Sequence, residues 1–172
     1  MNLRNLIGSL KNFAQLLPIQ VDGISDADAR WKPPSQNWSI LEIVCHLVDE
    51  ELEDFPRRVR LTLENSEKHW PSINPELSAV DRKYNDKDLE NKVREFCKLR
   101  AASVKWLESL VEPQWATVYQ HSHLGSIMAG DIMAAWAAHD QLHVRQIAKR
   151  KYELIRRDAA DFSIDYAGDW TA

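Results

Sequence analysis

From Asp131 to Arg150 the chain runs without a glycine or proline, through Ala, Leu, Gln and Arg residues of good helix propensity. That segment reads as helix, and helix geometry fixes where its chemistry points. Residues four apart on a helix lie about 40° apart around the axis and one turn along it. His139 and His143 therefore face the same way, near enough to hold one small ion between their imidazoles. Ala135, Trp136, Leu142 and Ile147 are expected to form a largely apolar side around them, which turns the pair inward. Two buried imidazoles without partners are costly. A metal would satisfy both, and so would ordinary core hydrogen bonds; the His-x-x-x-His spacing leaves both readings open.

Three more segments carry the same periodicity. Between Asn2 and Leu17, the apolar residues Leu3, Leu6, Ile7, Leu10, Phe13, Ala14 and Leu17 step by threes and fours. This amphipathic helix is expected to stop at Pro18. A polar connection follows, ending in Trp31-Lys32-Pro33-Pro34, which favours extended backbone. Ser39 and Glu42 form a capping box for the second helix, with Trp38 and Ile43 as the matching hydrophobic staple. Its stripe runs through Ile40, Ile43, Val44, Leu47, Val48, Leu52, Phe55, Val59 and Leu63, and Pro56 should kink or break it.

The segment from Asn65 to Asn85 is polar, carries Pro71 and Pro75, and reads as a long irregular connection or lid. Asn85 or Asp86 is the expected cap of a third helix that buries Leu89, Val93, Phe96, Cys97, Val104, Leu107 and Leu110 and ends at Glu112-Pro113. Gln114 to Leu124 reads as loop, and Gly125-Ser126 as the opening of the fourth helix, with Ser126 its N-cap. Beyond Arg150 the pattern suggests a separate short helix around Tyr152 to Asp158 and an irregular stretch from Asp165 to Ala172. Four long amphipathic segments without a strand pattern predict an all-α four-helix bundle. The length fits one domain over residues 1–172.

A net charge of −4, with no basic run longer than Lys149-Arg150-Lys151, argues against a nucleic-acid partner. No window approaches the roughly 20 apolar residues of a membrane span, and the N-terminal apolar residues follow the helical period instead of forming a signal-type run. Cys45 and Cys97 lack metal-type spacing, which points to a reducing cytoplasm. The seven Trp residues are expected to fill the core and the spaces between helices.

Bundles build metal sites from side chains on facing helices. His46, near one end of the second helix and bordering its stripe, is the best candidate for a third ligand; the plainer reading is a ring bonded to a backbone carbonyl. Three neutral imidazoles suit Zn²⁺ or Ni²⁺ and leave positions open for water or substrate. Metal affinity would then fall as pH drops through the free histidine pKa, about 6.5. Asp49 and Glu50 follow His46 at i+3 and i+4, placed to orient its ring or a bound water, or simply to form a solvated face. Gln146 continues the His139/His143 side by one turn, where it lines the pocket or bonds a neighbouring helix. Asp140 lies about 100° from His139, which favours a salt bridge over ligation. His69, His121 and His123 read as loop residues, and Cys45 as a packed core thiol.

Trp38-Ser39-x-x-Glu42-x-x-x-His46-Leu47, followed by His139-Asp140-x-x-His143-x-x-Gln146-Ile147, resembles the DinB/YfiT-like superfamily. The likeness extends to Trp31-Lys32-Pro33 and to Gly125, and covers the chain from the first helix to about Arg150. The resemblance implies a four-helix bundle whose divalent metal is held by three residues, here His46, His139 and His143. Relatives include bacillithiol and mycothiol transferases, a maleylpyruvate isomerase and proteins described as metal-dependent hydrolases, and they are often dimers. The expected activity is therefore hydrolysis, or transfer of a low-molecular-weight thiol to a small-molecule electrophile. The rival reading is a non-catalytic bundle whose metal is structural and whose surface binds a partner. A fourth protein ligand would favour that rival, and an open position on a pocket would favour the enzyme.

Overall fold

The computed structural model describes residues 1–64 and 66–170; of the segments discussed above, Asn65, Thr171 and Ala172 lie outside them. In chain order the helices are α1 (Leu3–Val21), α2 (Asp26–Arg30), α3 (Ile40–Glu53), α4 (Phe55–Glu64), α5 (Pro75–Asp81), α6 (Leu89–Ser109) and α7 (Ala129–Asp158). A two-stranded antiparallel hairpin, β1 (Val118–His121) and β2 (Gly125–Met128), precedes α7. The predicted four-helix bundle is present. Its long members are α1, the broken pair α3/α4, α6 and α7. Helix α1 packs on α6 and α7, and α3/α4 packs on the same two from the other side. Helices successive in the chain, α1 to α3 and α6 to α7, thus lie across the bundle from one another. Such crossings need longer connections than an antiparallel helix pair, and α2 and the hairpin lie within them.

Several element ends differ from the sequence reading, each for a local reason. Helix α1 continues through Pro18 to Val21. The proline leaves the Ala14 carbonyl without its usual helical donor, and the Cys97 thiol donates to that carbonyl at 3.5 Å. At the helix end, the Lys151 ammonium donates to the Gln20 carbonyl at 2.9 Å. The capping box of α3 is present: Glu42 N–H donates to Ser39 Oγ at 3.1 Å, and Ser39 N–H to the Glu42 carboxylate at 2.8 Å. Pro56 breaks the second helix as expected, with Asp54 between α3 and α4 and the proline in the first turn of α4.

The segment before α6 is more ordered than its composition suggested. It holds α5, capped by the Asn74 side chain, and a 3-10 turn at Tyr84–Asp86. The cap of α6 is Asp88, whose carboxylate accepts from Asn91 N–H at 2.8 Å, in place of Asn85 or Asp86. Gly125 and Ser126 belong to β2, not to the start of α7. Gly125 has φ +74°, a left-handed conformation suited to a hairpin turn and closed to a helix start. Helix α7 opens at Ala129, where the Asp131 carboxylate accepts from Met128 N–H at 2.8 Å. It then runs unbroken to Asp158, absorbing the separate helix expected after Arg150, while Asp165–Ala167 form a 3-10 turn in the stretch expected to be irregular.

The interior has two main apolar clusters along the bundle. One holds Phe13, Leu17, Ile43, Leu47, Phe96 and Ile147; the other holds Leu10, Val59, Val104, Leu107, Met133 and Trp136. On α7 the buried side is Ile132, Met133, Trp136, Ala137, Asp140, His143 and Ile147. Ala135 and Leu142 face outward, so only Trp136 and Ile147 of the four expected apolar markers are buried. Among the described residues no helix is long and apolar enough to cross a membrane.

Candidate metal centre

Helices α3 and α7 are neighbours, and their contact brings the three histidines together. His46 and His143 are buried and His139 is half-buried. One ligand atom from each lies within 4.8 Å of the others. His139 Nε2 and His143 Nε2 are 3.1 Å apart. Two imidazole nitrogens bound to one ion at roughly 2.0–2.1 Å stand roughly 2.9–3.4 Å apart, so this edge already has the width of a bound site.

Neighbouring side chains fix the rings. His143 Nδ1–H donates to Gln146 Oε1 at 2.8 Å, which leaves the Nε2 lone pair facing His139. Gln146 thus orients a candidate ligand. Trp38 packs on the His46 ring at a centroid distance of 4.9 Å, and Phe55 on His139 at 5.0 Å. Phe55 reaches that position because the helix breaks at Asp54.

Burial, and then the neighbouring His143 and His139 rings, hold the His46 pKa down at about 3. Burial and the charges of His143 and Arg100 hold His139 down to about 3 as well. Burial lowers His143 too, against the opposing pull of its Gln146 hydrogen bond. All three rings lie below the ordinary histidine pKa, so each is neutral at pH 7.

His46 and His139 open on a cleft of about 1030 Å³, walled by Lys32, Trp38, Phe55, Gln146 and the segment from Ile73 to Val80. The connection read as an irregular lid is thus a helical wall built by α5. Glu50 also lines the cleft, its Oε1 3.6 Å from His46 Nδ1, too far for a hydrogen bond. Burial and the Asp54 carboxyl beside it push Glu50 up to about 9, so it carries a proton at neutral pH. Asp49 is not among the walls of this cleft, but with His46, Glu50 and Tyr84 it lines a small recess beside it. Its carboxylate accepts from Arg82 Nη1 at 2.6 Å and from the Tyr84 hydroxyl.

The other titratable residues fall outside the triad. His123 is exposed, and His121 Nδ1 accepts the N–H groups of His123 and Leu124, closing the hairpin turn. His69 is exposed beside Tyr119. Cys45 is a core thiol that donates to the Tyr84 carbonyl, and burial pushes it up to about 12.

Sequence reasoning missed a second buried polar group behind the histidines. Arg100, 1% exposed, donates from Nε to Glu51 Oε1 at 2.6 Å. Its Nη1 and Nη2 donate to the two oxygens of Asp140 at 2.6 and 2.9 Å. Asp140 is thus the salt-bridge residue that its helix position suggested. The signal for Arg100 was in plain view, four residues from both Phe96 and Val104 inside an apolar stripe.

Over residues 10–147 the sequence matches the profile of the DinB superfamily. The chain belongs to the DinB superfamily. A solved DinB-like structure shares the fold: YfiT from Bacillus subtilis, described as a probable metal-dependent hydrolase with an unusual four-helix bundle topology. The two superpose with a TM-score of 0.79 at 15% identity, covering 88% of this chain and 87% of that one. At that identity the likeness speaks for the fold alone. A search of curated proteins found no match. The matched stretch of this DinB-superfamily chain contains His46, His139 and His143, the residues that in this structure could hold a metal.

Proposed function

We propose that His46, His139 and His143 hold one divalent transition metal, Zn²⁺ or Ni²⁺, and that the protein uses it to activate a water or a low-molecular-weight thiol against a small electrophile. The observation that carries this reading is the convergence of three neutral imidazoles from two facing helices, two of them, His46 and His139, lining an open cleft. An ion held there would supply Lewis acidity, bringing a nucleophile into being near neutral pH. Gln146 keeps the His143 lone pair turned inward. Trp38 and Phe55 cover the outer faces of His46 and His139 and limit water there. Glu50, on the cleft wall 3.6 Å from His46, would exchange a proton with a bound water or a leaving atom.

The description of YfiT as a probable metal-dependent hydrolase supports hydrolysis as the first reaction to assay. A structural site would close with a fourth protein ligand. Among the described residues the cluster has three members, which favours an open, reactive site over the non-catalytic alternative. The test is to strip the protein of metal, reload it with Zn²⁺ or Ni²⁺, and measure stoichiometry and turnover. The substrates would be a panel of small esters and amides, and a thiol paired with an electrophile. One ion per chain and metal-dependent turnover of either class are expected. Failure to bind metal stoichiometrically would overturn the reading.

A further inference from the structure

Arg100 joins the two helices that carry the histidines. Glu51 lies on α3 five residues beyond His46, and Asp140 lies on α7 directly after His139. The guanidinium, on the third helix α6, binds Glu51 through Nε and Asp140 through both Nη atoms, and Nη1 also reaches the Leu10 carbonyl on α1 at 3.2 Å. One side chain therefore touches all four long members of the bundle. Glu51 is fixed further, with Oε1 accepting from Trp136 Nε1 on α7 and Oε2 from Ser103 Oγ on α6, each at 2.9 Å.

The chemistry of this cluster is not what a core needs for stability alone. Packed apolar side chains of similar volume do as well as, or better than, a buried ion triad. What the guanidinium adds is geometry: a rigid planar fork with five donors sets the distance and angle between the carboxylates it joins. Here that fork sets α3 against α7 at the level of the candidate ligands. Resting on the metal-site reading above, we infer that Arg100 is a positioning residue that, through Glu51 and Asp140, holds His46 in register with His139 and His143.

The test compares the wild-type chain with Arg100→Lys and with a neutral triple variant, Arg100→Met with Glu51→Gln and Asp140→Asn. Lysine keeps the charge but has no fork. The triple variant removes the charge of this cluster, and the amide that replaces the Glu51 carboxylate keeps an acceptor oxygen for Trp136, which gives a second chance of a folded protein without the fork. Each protein is titrated with Co²⁺, reading affinity and the visible absorption spectrum, while circular dichroism reports the fold. Folded variants are expected to bind at least about tenfold more weakly, the range typical of residues that orient ligands, with a changed spectrum. A folded variant with wild-type affinity and spectrum would overturn the positioning role while leaving the metal site intact. A wild-type chain that took up no Co²⁺ would overturn both.

Discussion

Two polar islands interrupt the same apolar interior, and both lie between α3 and α7. The island around Arg100 is closed: the carboxylates of Glu51 and Asp140 meet donors from Arg100, Ser103 and Trp136, and the guanidinium is spent on them and on a backbone carbonyl. The island around His46, His139 and His143 is open. Its rings make one hydrogen bond to Gln146 and one to each other, and two of them border a cleft. Buried polar groups thus have two uses. A closed network fixes helices in place, and a set of imidazoles left facing one another is a place for something else to bind.

Breaking the closed island should give the largest effect on stability. Arg100→Ala leaves two carboxylates buried without their cation and should cost about 3–5 kcal/mol in chemical denaturation, the usual range for stranding a buried charge. A loss below about 1 kcal/mol would show that water enters and the network is not closed. Next is the gain from filling the open island. Zn²⁺ at about a hundred times its dissociation constant should raise stability by about 2.7 kcal/mol, read as a shift in the thermal transition. That gain should be absent in the presence of a chelator.

A smaller effect is expected where the open island meets its support. Gln146→Leu removes the acceptor for His143 Nδ1–H and should weaken metal binding about tenfold, or about 1.4 kcal/mol. Wild-type affinity in that variant would mean that packing alone holds the ring. The smallest effect is expected on acidification to about pH 6. Below the ordinary histidine pKa of about 6.5, the unfolded chain takes up protons that folded His46 and His139 refuse until about 3. In the metal-free protein the ring signals of His46 and His139 should therefore stay in their neutral positions as pH falls through about 6.5, read by NMR titration. A ring that titrated near 6.5 in the folded protein would contradict the neutral, buried rings.

The sequence carried the bundle and the triad because both rest on local rules. Helical period and the Ser39/Glu42 cap place α3, an uninterrupted run places α7, and i,i+4 spacing pairs His139 with His143. The placement of His46 opposite that pair came from family resemblance, since no local rule states which helices face each other. What the sequence hid is non-local. Pro18 reads as a stop because the thiol that takes up the freed Ala14 carbonyl lies on another helix. Asp49 pairs with Arg82 and Tyr84, partners that no local rule announces because their segment reads as irregular. Gly125 reads as a helix start because a hairpin of four-residue strands has too little alternation to stand out.

The central claim, that the open island is a three-histidine metal site, is tested most directly by comparing metal stoichiometry and affinity in the wild-type chain and His143→Ala. Two apolar clusters and the Arg100 network hold the bundle without the metal, so the variant should keep a native circular dichroism spectrum. Wild-type protein should bind one Zn²⁺ or Ni²⁺ per chain, and folded His143→Ala should bind at least about a hundredfold more weakly, the loss of one of three ligands. Equal occupancy in the two proteins, or none in the wild type, would contradict the account.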